Sequence, residues 1–369
     1  MIHTVKTSIS SRPRVGMTLA SIALLAAASC TDPEERPSDD DPCETVTCSG
    51  RGTCVAPRGE PVCVCHRGYV ARDTECVPAG TDGDADADTE ECSEGCRPGE
   101  RCDQGECVPG AWMVVTARTF LMGSPLTEAG REPNETRHDV TITRDFEVWS
   151  TEVTYEDFAR VMGYGPPAPP GCSTGCAVEH VTWHEAAAYC NALSVERGFS
   201  SCYECDGTGA TVQCVPSTRV PQDCPGYRLP TEAEWEAAAR ATTTAATYNG
   251  DLDLARLECE EPNPALDDIA WFCGNSRLEP QPVAMLRANG FGLYDTLGGV
   301  YEWCHDWYAE DLGAEDATDP SGPSTGTDRV ARGGSYYREA RRARAARRTS
   351  LDPNDSSQAL GFRPVRTLP

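Results

Sequence analysis

The placement of cysteine constrains this chain more than any other feature. It contains 21 cysteines in 369 residues, and they fall in blocks. Cys30 stands alone, six lie from Cys43 to Cys76, four from Cys92 to Cys107, and ten from Cys172 to Cys304. Once Cys30 is set aside every block is even, the parity of self-contained disulfide frameworks in an oxidising compartment. Cys202, Cys205, Cys214 and Cys224 have zinc-like spacing, but in an exported chain the same residues read as a disulfide-stapled loop. The even count also predicts a bridge for Cys304, with Cys273 as its partner. An unpaired Cys304 beside His305 would instead be a candidate reactive thiol.

The first thirty residues fit an export signal. Lys6, Arg12 and Arg14 make a positive start, and Val15 to Ala28 is an apolar stretch too short to span a bilayer. Ala27-Ala28-Ser29-Cys30 resembles a bacterial lipobox, which makes Cys30 the lipidation site; an ordinary cleaved signal is the alternative. Thr31 follows where inner-membrane sorting would use aspartate. The expectation is an exported protein at the bacterial cell envelope, outer membrane or periplasm, held to the membrane by its lipid anchor only.

Residues 31–42 read as an acidic tether and 78–91 as a second acidic linker. Between them, residues 43–77 carry the spacing C-x4-C-x5-C-x8-C-x-C-x10-C, which resembles an EGF-like domain. Such a module is too small for a core and depends on its bridges. The resemblance implies Cys43 with Cys54, Cys48 with Cys63, and Cys65 with Cys76; spacing alone leaves the pairing open. Asp39, Asp40 and Asp41 precede it as in calcium-binding EGF domains, but Pro42 occupies a ligand position, so a solvated acidic run is the better reading. The aspartates of the second linker lack the glutamate that closes a calcium loop. Residues 92–109 form a four-cysteine mini-module, and 111–369 have core-forming composition.

Net charge is −26, which argues against a nucleic-acid partner because phosphate is repelled. The charge is uneven, however: Arg332, Arg338, Arg341, Arg342, Arg344, Arg347 and Arg348 crowd one segment. Three helix starts are predicted where a threonine precedes an acid by three residues: Thr154 with Asp157, Thr182 with Glu185, and Thr231 with Glu234. The second helix should run through Ser194 and end near Gly198, and the third through Arg240. Elsewhere short apolar runs broken by Pro, Gly and Asn predict an α+β domain with much irregular structure.

Four blocks sharpen this reading: GYRLPTEAEWEAAAR (Gly226 to Arg240), NGFGLYDTLGGVYEWCHDWY (Asn289 to Tyr308), RVARGGSYYR (Arg329 to Arg338) and LGFRPVR (Leu360 to Arg366). In this order they resemble the formylglycine-generating enzyme (sulfatase-modifying factor) family, which implies its C-type-lectin-like fold over residues 111–369. The resemblance also implies one calcium ion, held by the side chains of Asp295 and Glu302 and the carbonyls of Gly298 and Val300. Hard oxygen donors around a tight glycine turn suit that ion. Gly299 stands where many relatives have asparagine.

The family's copper-binding cysteine pair falls on Arg338 and Ala343. Neither side chain offers the soft thiolate that copper(I) requires, so no copper is expected. Trp303, Ser335 and Tyr336 are expected to line a pocket on that face, with Arg338, Arg341 and Arg342 offering forks to an anion; the arginines could equally pair with the domain's own acids. The resulting expectation is a non-catalytic module that binds a protein, peptide or glycan at the cell surface. The alternative is a divergent oxidase acting on a protein or peptide.

Overall fold

The computed structural model describes residues 110–369 except 171, 173, 174, 260 and 261, together with six short strands before them. Those strands form antiparallel hairpins: β1 (Gly52–Val55) with β2 (Val62–Cys65), β3 (Tyr69–Arg72) with β4 (Glu75–Pro78), and β5 (Glu100–Asp103) with β6 (Glu106–Pro109). Cys30 and the three EGF-like cysteine pairs lie outside the residues whose side chains are described.

In the large domain all three capping signals become helices. Before α1 (Tyr155–Met162) the Thr154 hydroxyl accepts the Asp157 amide, and Gly163, at φ 72°, ends the helix. The starts of α2 (Trp183–Glu196) and α3 (Glu232–Arg240) are complete capping boxes: threonine accepts the amide of the third residue, and that residue's glutamate accepts the threonine amide.

Around the helices lie short strands. β7 (Trp112–Val115), β10 (Phe146–Trp149) and β18 (Val365–Thr367) make one antiparallel sheet with β10 in the middle. β8 (Arg118–Met122), β9 (His138–Ile142) and β14 (Ala317–Thr318) make a second, again with the middle-numbered strand central. β11 (Tyr203–Asp206) and β12 (Gln213–Pro216) form a hairpin. The sheet that matters for the site has the order β16 (Arg348–Leu351), β15 (Arg329–Arg332), β13 (Tyr301–Trp307), β17 (Leu360–Gly361). β13 is therefore an inner strand, and Trp303, fully buried on it, joins Trp183, Phe158 and Phe362 in the largest apolar cluster.

Every residue of α3 is buried, including Glu232, Glu234, Glu236 and Arg240. Charges so placed need partners, because each is otherwise removed from water without compensation. The arginine-rich segment supplies several of them. Arg348 grips Glu232 at 2.6 and 2.9 Å, and Arg332 pairs with Glu236 and lies 3.4 Å from Glu232. Arg228 takes Glu234 through two bonds of 2.7 Å, while Arg240 binds Glu236. Nearby, Arg344 joins Glu128 and Glu135. Much of the C-terminal positive charge is thus the internal counter-charge of a buried acidic helix and its surroundings.

Among the described residues four disulfides form: Cys172–Cys176, Cys202–Cys224, Cys205–Cys214 and Cys259–Cys273. The stapled loop is as expected, with Cys205 and Cys214 directly opposed across the β11–β12 hairpin. The bridge expected between Cys304 and Cys273 does not form, since Cys273 pairs with Cys259. Cys304 sits on inner strand β13 and, like Cys190 on α2, is a fully buried free thiol. Burial pushes both thiols upward in pKa, Cys304 well above its usual value, so neither is poised to react.

Candidate functional site

The two positions matching the family's cysteine pair lie on the irregular segment after β15. Arg338 is exposed, and its carbonyl accepts the Cys273 amide at 3.0 Å. Ala343 is buried at the end of a single helical turn, Ala340–Arg342.

The expected pocket lining is corrected by the burial of its members. Trp303 has no exposed surface and donates its indole N–H to the Val181 carbonyl at 2.9 Å, so it is a core residue. Ser335 is also buried, with a hydroxyl that finds no partner. Tyr336 alone of the three lines a cleft; its hydroxyl donates to Glu179 at 3.2 Å and accepts from Gln358 at 2.8 Å. The residue missed by sequence reasoning is Tyr301, two places before Trp303 on β13. It is 8 % exposed, and the arginines Arg342, Arg347 and Arg338 all bear on it, opposing the rise in pKa that burial imposes. The signal was there, in an aromatic residue directly before Glu302.

The surface arginines separate into two kinds. Arg341 pairs with Glu258 at 2.6 Å. Arg342 only approaches Glu132 at 3.7 Å and Glu339 at 3.5 Å, while Arg338 stacks 4.7 Å over the Tyr337 ring.

A second feature lies under the turn that leads into β13. Its cleft holds about 10 Å³ of free volume, room for one water-sized occupant, and is lined by Glu152, Trp271, Val283, Asp295, Gly299 and Tyr336, among others. Asp295 Oδ2 accepts the Ala284 amide at 2.7 Å and Glu152 Oε1 accepts the Val300 amide at 3.1 Å. The other oxygen of each carboxylate is buried without a partner. Burial and the neighbouring Asp295 charge raise the Glu152 pKa well above the usual range; burial raises that of Asp295 to about 6. Two orphaned carboxylate oxygens at a one-atom cleft fit a hard cation.

Glu302 fits less well. Its carboxylate is taken by Arg363, at 2.7 Å, and by the Trp235 indole N–H, at 2.8 Å. Among the described residues no three His, Cys, Asp or Glu side chains gather around one point as metal ligands. A cation here would have Asp295 and Glu152 as its carboxylates, with the rest of its shell from backbone or water.

The shape of this turn depends on glycine. Gly299 has φ 58°, and a Cβ there would lie 2.3 Å from Glu152 Oε1. Gly298, at φ 79°, would place one 2.2 Å from the Trp271 carbonyl oxygen.

Comparison with known proteins agrees with this architecture. The sulfatase-modifying factor enzyme 1-like domain matches residues 103–368. The chain belongs to that family. The EGF-like domain matches residues 43–73. Chaperone protein LppX of Paenibacillus barcinonensis is 30% identical over 243 residues, covering 62% of this chain and 82% of that protein. The formylglycine-generating enzyme of Streptomyces coelicolor is 42% identical over 145 residues, 37% of this chain and 46% of the enzyme. The match thus spans about half the length of that relative. Among solved structures, Treponema denticola variable protein 1 superposes with TM-score 0.58 at 27% identity, covering 71% of this chain and 96% of that one. PvdO from Pseudomonas aeruginosa has TM-score 0.54 at 23% identity over 74% of this chain and 99% of its own, a likeness of fold. No described helix of this sulfatase-modifying factor family member is long and apolar enough to cross a membrane.

Proposed function

We propose that this protein is an exported, lipid-anchored binding protein in which a sulfatase-modifying-factor-like domain has given up oxidase chemistry and kept its surface for a protein partner. The observation that carries the reading is the absence of an accessible thiol pair among the described residues. Arg338 and Ala343 occupy the expected positions, and the two free thiols, Cys190 and Cys304, are buried and held protonated. Copper(I) would find no soft ligands at that face. The likeness to a protein named as a chaperone favours a protein as partner. The lipobox-like Cys30 and the acidic tether would hold the domain at the cell envelope.

Calcium belongs to this reading as a structural ion. Asp295 and Glu152, with the carbonyls of Gly298 and Val300, would hold it. When bound it would neutralise the two facing carboxylates and fix the turn before β13.

The test is mass spectrometry of a Cys-x-Pro-x-Arg peptide incubated with the full-length oxidised protein, copper and oxygen, beside an active formylglycine-generating enzyme. An unchanged peptide is expected. Conversion of its cysteine to formylglycine would overturn the proposal.

A further inference from the structure

Of the seven arginines from Arg332 to Arg348, Arg332, Arg344 and Arg348 have close carboxylate partners in the core and Arg341 has one at the surface; the other three are less well matched. Arg338 is exposed and makes no ion pair among the described residues. Arg342 is 3.7 Å from Glu132 and 3.5 Å from Glu339, beyond good hydrogen-bonding distance, and its Nε is buried without a partner. Arg347, 5 % exposed, meets the same Glu132 at 2.8 Å, and its Nε is likewise unpartnered. Two guanidinium groups therefore share one carboxylate that is itself 36% exposed on its side chain. The Tyr301 hydroxyl makes no hydrogen bond among the described residues, and the charges of Arg342, Arg347 and Arg338 all act on it.

We propose that Arg338, Arg342, Arg347 and Tyr301 form a recognition site for a carboxylate carried by an acidic peptide segment of a protein partner. The site deepens the binding-module reading and rests on it. Guanidinium forks match a carboxylate through paired N–H bonds, and the phenol adds an O–H donor. Glu132 already shows what chemistry the arginines accept, since it is a carboxylate lying 2.8 Å from one of them and 3.7 Å from another. The Arg342–Glu132 approach, long and partly exposed, is weak, so an incoming carboxylate can replace it at small cost. The partly exposed ring of Tyr337, 4.7 Å under the Arg338 guanidinium, gives the neighbouring surface an apolar character suited to peptide rather than to a free ion.

The experiment is fluorescence anisotropy of a labelled pentaglutamyl peptide with the full-length protein, using a pentalysyl peptide as control and inorganic sulfate and phosphate as competitors. The acidic peptide should bind and the basic one should not. The double variant Arg338→Gln/Arg342→Gln should weaken binding at least tenfold, and Tyr301→Phe several-fold. Glu132→Gln should strengthen binding by removing the internal competitor, which a merely structural role for Glu132 would not do. Because Arg338 is exposed, Arg338→Gln alone should keep the wild-type melting temperature and still weaken binding. The proposal is overturned if the peptide does not bind, if the arginine variants bind it unchanged, or if sulfate or phosphate binds more tightly than the peptide. Failure in any of these ways, with the cysteine peptide still unmodified, removes the acidic-ligand site and leaves the non-catalytic reading standing. Formylglycine formation would remove both.

Discussion

Gly299→Ala tests whether the turn before β13 is built around the approach of Glu152. The substitution carries two costs. At φ 58° an alanine sits in the left-handed region, which costs about 1 kcal/mol. Its Cβ would also lie 2.3 Å from Glu152 Oε1, so the carboxylate must leave the Val300 amide it now accepts at 3.1 Å. Leaving that buried amide without a partner costs about 1–3 kcal/mol. The sum is about 2–4 kcal/mol. Gly163→Ala is the control: its φ is 72°, but nothing lies within 4 Å of the added carbon, so only the backbone cost of about 1 kcal/mol applies. Urea unfolding of both variants with disulfides intact would measure the difference. It should be about 1–3 kcal/mol, a gap of roughly 2–12 °C in melting temperature for a domain of this size. Equal destabilisation of the two variants would refute the argument, because crowding at Glu152 would then contribute nothing.

Other outcomes follow from the buried charges. Glu232→Gln removes the carboxylate that Arg348 grips and Arg332 approaches, leaving buried guanidinium charge uncompensated, and should cost about 3–5 kcal/mol in denaturant unfolding. His305 is buried beside Arg329 and Arg228, and burial first, then those charges, depress its pKa from 6.5 to about 3. Its folded form binds fewer protons than its unfolded form in that interval, so stability is full above pH 6.5 and falls as pH drops toward 3. His305→Gln should flatten the stability–pH slope there by up to about 1.4 kcal/mol per pH unit; an unchanged slope would count against the assignment. If calcium occupies the Asp295–Glu152 cleft, adding it after chelator treatment should raise the melting temperature, and the rise should vanish in Asp295→Asn and Glu152→Gln. A thiol reagent should label Cys190 and Cys304 only in denaturant, and labelling under native conditions would contradict their burial.

Local signals were legible in the chain. The three Thr-x-x-acid capping motifs marked the three helices because a cap is satisfied by residues within one turn, and no distant contact is needed to form it. The stapled loop from Cys202 to Cys224 followed from parity and compartment. Asp295 was singled out by the resemblance of the block from Asn289 to Tyr308 to its family counterpart, with the glycine turn beside it in agreement. Its buried companion, Glu152, was not, since it comes from a segment about 140 residues earlier and meets Asp295 only through packing.

What the sequence by itself determined is the set of elements with short-range causes: the helix starts, the glycine turn, and the missing thiols at 338 and 343. Tertiary structure alone decided which charges are available. The arginine-rich segment reads as one positive stretch, yet Arg332, Arg344 and Arg348 serve buried carboxylates, Arg347 turns to the partly exposed Glu132, and Arg338 and Arg342 keep exposed surface. Trp303 and Tyr301, two residues apart on one strand, are buried in the same apolar cluster, yet the second also feels the charges of Arg338, Arg342 and Arg347. The physical reason is that a side chain's chemistry depends on what desolvates it and what pairs with it. Both are set by chain segments far away in sequence, brought together only when the fold closes.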